Sequence, residues 1–140
     1  MVKTMDREIE FRGKSMGGRW IYGLLTKKKI RNSGRISFAI ATEDYSLANT
    51  IPISENTIGQ FTGFKDIDGK EIFEGDIIKN IESDIIYQVK LCNGCWSAEC
   101  QDYYASPLYL LFGNAPFKVI GNIHDTPELG KTLRGCEVDD

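Results

Sequence analysis

Four clusters of residues could do chemistry by type and spacing. Cys92-x-x-Cys95 offers two thiols at the spacing of half a zinc site or of a redox dithiol. Structural zinc takes four ligands, often from two such pairs about 15–20 residues apart. The remaining thiols are Cys100 and Cys136, which do not form a second pair. A thioredoxin-like dithiol belongs beside a βαβ pattern, and none is visible. Asp66-x-Asp68-Gly69 resembles part of a calcium loop. With Gly69 in sixth place, the first and twelfth positions fall on Phe64 and Gly75, where Asp and a bidentate Glu are required. Glu71, Glu74 and Asp76 could act as an acid–base pair if one were buried and shifted, but they lie at turn positions that favour solvation. His124, the sole histidine, precedes a helix-cap pattern and reads as structural or exposed. The phosphate-binding signatures GxGxxG and GxxxxGK[ST] do not occur. These observations predict no catalytic residue, no bound metal and no cofactor.

The fourth cluster is basic. Lys27, Lys28, Lys29, Arg31 and Arg35 lie on or beside the polar connection "KKKIRNSG", which reads as a loop. Such cations could neutralise phosphates, and Trp20, Tyr22 and Phe38 could stack on bases if they faced outward. The charge distribution is uneven: residues 1–35 hold ten Lys/Arg against three Asp/Glu, while residues 36–140 hold seven against seventeen. That asymmetry fits a nucleic-acid-binding segment or complementarity between subunits. The net charge of −3 weighs against a strong nucleic-acid binder.

The elements that must carry these residues are mostly strands. "REIEFRGK" alternates, with Ile9 and Phe11 on one face and Arg12 on the other. "RWIYGLL" and "RISFAIAT" follow as strands, and "NTIPIS" is extended because Pro52 disfavours helix at Ile51. In "TGFKDIDGKEIFEGDII", Asp68-Gly69 and Glu74-Gly75-Asp76 mark two tight turns around a short strand, a corner of a small barrel. The acids there face water. Asn93-Gly94 predicts a two-residue type I′ hairpin that pairs Cys92 with Cys95, Leu91 with Trp96, Val89 with Ala98 and Tyr87 with Cys100. One face then carries Ile85, Tyr87, Val89, Leu91, Trp96, Ala98 and Cys100 toward a core, and a one-residue slip would mix the faces. "SPLYLLFG" reads as a short helix or 3₁₀ turn capped by Ser106 with Pro107 in its first position. "FKVIGNI" is a last strand, and "DTPELGK" a helical turn with Thr126 as cap and Pro127 first.

A chain of 140 residues is long enough to bury about 68–70% of its unfolded surface. No apolar run approaches the ~20 residues of a transmembrane helix. The N-terminus shows no apolar leader, which predicts a cytosolic protein with free thiols.

Three stretches resemble the YopX family of phage and prophage proteins: Arg7–Arg12 ("REIEFR"), Gly59–Ile78 ("GQFTGFKDIDGKEIFEGDII") and Val119–Leu129 ("VIGNIHDTPEL"). Phe61, Phe73 and His124 stand where the family often has Tyr. The resemblance implies a mainly β (α+β) protein: a β-rich N-terminal subdomain over 1–61, an SH3-like small barrel over 62–130 and a flexible tail over 131–140. It brings no catalytic residue with it. It supplies no established activity either; the expected function is that of a non-enzymatic interaction or assembly module in the cytoplasm of a bacterial host. The expected partners are a second copy of the chain and a phage or host protein, with nucleic acid as the alternative.

Overall fold

A computed structural model describes residues 8–42, 49–100, 106–108 and 116–129. The expected tail at 131–140 lies outside them. The protein is mainly β, with two antiparallel sheets. Among the described residues, helix is confined to Asn49, a 3₁₀ turn at Glu55–Thr57, Leu108 and residues 127–129. The chain divides into two compact units, Met1–Gly63 and Phe64–Asp140.

The first unit contains β1 (Phe11–Lys14), β2 (Trp20–Lys29), β3 (Ile36–Ala41), β4 (Thr50–Pro52) and the start of β5 (Gly59–Lys65), side by side in the order β4-β3-β2-β1-β5. β2 changes partners midway: Trp20–Gly23 pairs with β1, and Leu24–Lys29 pairs with β3. The change falls on Gly23 at φ 155°, where a Cβ would strike the Ala41 carbonyl oxygen. A residue without a Cβ is needed there. The core packs Ile21, Ile40 and Ile53 with Leu25, Phe38, Ile51 and Ile58.

β1 is shorter than the alternation predicts. It begins at Phe11, and Ile9 is exposed rather than packed. Arg12, expected on the outer face, is buried at 5% exposure. Its guanidinium lies 4.5 Å from the centre of the Trp20 ring, and the Lys14 ammonium lies 5.3 Å from the same centre. The ring face attracts both cations, which compensates part of the cost of burying Arg12.

In the second unit, the end of β5 leads through the Asp68-Gly69 turn into β6 (Glu71–Phe73). A five-stranded sheet follows, built from β7 (Asp76–Asn80), β8 (Ile86–Cys92), β9 (Cys95–Glu99), β10 (Ser106–Pro107) and β11 (Phe117–Asn122) in the order β10-β9-β8-β7-β11. β10 and β11 are its edges, and among the described residues no pairing joins them, so the sheet is open. Its core contains Ile72, Ile78, Val89, Leu108 and Phe117, all at 1% exposure or less, with Tyr87 edge-on to Phe117. Each such side chain contributes roughly 1.5–3 kcal/mol by leaving water.

The β8–β9 hairpin has the predicted register from Val89–Ala98 to Cys92–Cys95, with Asn93 and Gly94 both at positive φ. Leu91 is a correction: at 53% exposure it stands off the core that its alternation predicts. Ser106 and Pro107 pair with Ala98 and Ser97 as β10, so the predicted helix begins one residue late, at Leu108. Residues 109–113 of that predicted helix lie outside the described residues. The helical turn at 127–129 forms as expected, although the Thr126 hydroxyl donates back to the Asn122 carbonyl at 2.8 Å.

Candidate functional site

The loop that carries the basic residues is shorter than the sequence predicts: Arg31 and Arg35 lie on it, and the three lysines do not. Lys27, Lys28 and Lys29 belong to β2, not to a loop: Lys27 pairs with Phe38, Lys28 with Ser37 and Lys29 with Ile36. Three lysines in a row carry no strand signal of their own, so the strand is imposed by its partner, β3. β1 has by then left β2 at Gly23, and β4 pairs with β3 only at Ala39–Ala41. Apart from an Ile53 N–H donating to the Phe38 carbonyl at 3.1 Å, residues 27–29 and 36–38 extend as a two-stranded ribbon.

The ribbon's turn is held locally. The Ile30 N–H donates to the Arg35 carbonyl at 2.7 Å, and the Arg35 N–H donates to Ser33 Oγ at 3.1 Å. Asn32 and Gly34 take the positive φ values this path requires. Arg31 sits in the turn and Arg35 at the start of β3's side. All five cations are exposed.

Side chains alternate between the faces of a strand, and directly opposed residues share a face. Lys27, Lys29, Ile36 and Phe38 therefore share one face of the ribbon, and Lys28 and Ser37 the other. None of the five cations has an ion-pair partner among the described residues. In the second unit, by contrast, Lys79, Lys90 and Lys118 each meet an acid, Asp84, Glu99 and Asp68 respectively. A signal for this patch was present in the sequence. From Phe11 to Thr42 there are eight Lys/Arg and no Asp/Glu.

The candidate aromatics divide. Tyr22 is exposed, Phe38 packs against the core cluster, and Trp20 is held under Arg12 and Lys14. Beside the ribbon, Arg35, Ile36, Ser37 and Phe38 line a cleft of about 390 Å³ together with Ile53, Glu55 and Asn56.

Asp66 and Asp76 are structural, and both are buried rather than facing water as their turn positions predict. Asp66 Oδ1 accepts the N–H groups of Asp68 and Lys70, and its Oδ2 accepts that of Val119. Burial alone would raise its pKa. The three N–H donors and the Lys70 charge outweigh that and hold it below the ordinary value of 3.8. Asp76 is buried at 1% exposure, and its Oδ2 accepts the Phe73 N–H at 2.7 Å, closing the turn before β7. The His124 N–H donates to Asn122 Oδ1 at 2.9 Å. Cys92 and Cys95 are half-buried, and Cys100, just past the end of β9, is buried. Cys136 lies outside the described residues.

No helix among the described residues is long and apolar enough to cross a membrane. No curated protein matches the chain. The crystal structure of protein EF1440 from Enterococcus faecalis is similar to it, with a TM-score of 0.56 and 25% sequence identity, covering 89% of this chain and 99% of that one. The family model described as "YopX protein" matches residues 10–130, which include the basic ribbon and both sheets, and the chain belongs to the YopX family.

Proposed function

We propose that this protein is a non-enzymatic binding module that contacts the phosphate backbone of nucleic acid through the β2–β3 ribbon. The observation that carries this reading is the ribbon itself: five exposed cations, unmatched by acids among the described residues, on a segment with no Asp or Glu from Phe11 to Thr42. The acids responsible for the net charge of −3 lie elsewhere in the sequence, so the local field of the ribbon is positive. Binding should be read by fluorescence anisotropy with random-sequence DNA and RNA at about 50 and 200 mM salt. A steep loss of affinity between the two is expected, because cations displace counterions from phosphates. Absence of binding at 50 mM salt would end the reading.

The charge asymmetry favours a second reading, an assembly module. The basic first 35 residues and the acidic remainder would complement one another between copies, or on a phage or host protein in the bacterial cytoplasm. Light scattering at low and high salt tests it, and a salt-independent monomer at all concentrations would rule out self-assembly. For the second unit we propose an SH3-like arrangement that is open at one seam. Its support is the strand order: a meander from β7 to β10, with β11 returning beside β7.

A further inference from the structure

We propose that the cleft beside the ribbon seats one unpaired base, which makes the module a binder of single-stranded nucleic acid; this rests on the nucleic-acid reading above. The cleft's volume of about 390 Å³ falls within the roughly 300–1,000 Å³ range of small-ligand sites. Its walls differ in chemistry. Ile36, Phe38 and Ile53 give an apolar surface; Ile53 belongs to the core cluster and Phe38 packs against it, so that surface is backed by the core. Glu55 and Asn56, from the 3₁₀ turn, give a polar wall with acceptors and a donor. Lys27 and Lys29 pair with Phe38 and Ile36, so they share that face of the ribbon, and Arg35 lines the cleft itself.

A nucleotide has the complementary division. The flat face of its base is apolar, the edge carries donors and acceptors, and the phosphate is anionic. The apolar wall suits the base face, Glu55 and Asn56 suit its edge, and Lys27, Lys29 and Arg35 suit the flanking phosphates. An apolar peptide side chain would fill the cleft as well, but it would leave the cations on the same face unmatched. Charge complementarity therefore selects the nucleotide. In a duplex the base face is stacked and the edge is paired, so duplex can engage the cations but not the cleft.

The test uses the full chain and three fluorescein-labelled probes at about 50 mM salt. These are a mixed-sequence 12-mer single strand, the corresponding duplex, and a 12-mer of abasic sites that keeps every phosphate. The intact single strand is expected to bind about 10-fold tighter than either other probe, the scale of one stacked base. Ile36 is 47% exposed, so Ile36→Gln changes the cleft without emptying the core. It should abolish the single-strand preference and leave duplex binding unchanged. Equal affinity for all three probes, with Ile36→Gln behaving as the parent protein, would overturn the base site while leaving phosphate binding intact. Failure to bind any probe would overturn both.

Discussion

The N–H of Val119 donates to Oδ2 of Asp66 at 3.0 Å across 53 positions of sequence. That bond joins the turn before β6 to β11, and the other oxygen of the same carboxylate orders the turn through Asp68 and Lys70. Because these donors favour the ionised form, the folded-state pKa lies below the ordinary 3.8. The stabilisation is therefore complete above about pH 4 and is lost as the pH falls through the folded-state pKa. Urea unfolding of the parent protein and Asp66→Asn between pH 7 and pH 3 measures this. The variant should be less stable by about 1.5–3 kcal/mol at pH 7, the scale of bonds to a charged acceptor. The gap should narrow below pH 4. A gap that is constant with pH would show that the ionised carboxylate is not the source.

Asp76 makes a separate prediction without a pH argument. Its Oδ2 is the acceptor for the Phe73 N–H inside a buried turn. Asp76→Ala removes the acceptor and strands that donor, a loss of about 1–3 kcal/mol. The midpoint of urea unfolding at pH 7 should fall accordingly, with an unchanged slope, since the surface exposed on unfolding is the same.

Much of the second unit was legible because local and long-range signals agree there. Asn93-Gly94 specifies its turn, and the alternation around it specifies the register, so β8 and β9 follow from sequence. Leu91 departs because alternation gives the face of a strand but not how far the core extends beneath it. At Ser106-Pro107 the helix-start signal is displaced: pairing with β9 holds both residues extended, and the helix begins at Leu108. The basic ribbon was half legible. Lys27, Lys28, Lys29, Arg31 and Arg35 could be singled out from charge, but the strand through the lysines depends on β3, whose apolar residues Ile36, Phe38 and Ile40 carry the pattern. Arg12 was misplaced because alternation treats a cation as a surface residue, and the ring that receives it, Trp20, lies across the strand pair.

Gly121 tests the packing of the last turn. A Cβ there would meet Thr126 Oγ1, with Leu129 Cδ1 at 3.0 Å. The same hydroxyl accepts the Asn122 N–H at 3.0 Å and donates to the Asn122 carbonyl. Gly121→Ala should cost about 1–3 kcal/mol through overpacking. Thr126→Ala loses the hydroxyl bonds but makes room, so the double variant should be more stable than the sum of the two single losses predicts. A double-mutant cycle by urea unfolding reads that coupling, and strict additivity would show that the clash is relieved elsewhere.

The ribbon's two faces make the sharpest functional prediction. Lys27 and Lys29 share a face with Ile36 and Phe38, whereas Lys28 points to the opposite side with Ser37. If nucleic acid lies along the face of Ile36 and Phe38, Lys27→Ala and Lys29→Ala should each weaken single-strand binding more than Lys28→Ala. Each lost phosphate contact lowers the slope of log affinity against log salt by about 0.7 for a single strand. The Lys27→Ala/Lys29→Ala pair should therefore reduce the slope by about 1.4, and Lys28→Ala should leave it nearly unchanged. Equal effects from all three would mean that the ribbon acts as a diffuse positive charge, because a field without a fixed docking face does not distinguish alternate positions on one strand.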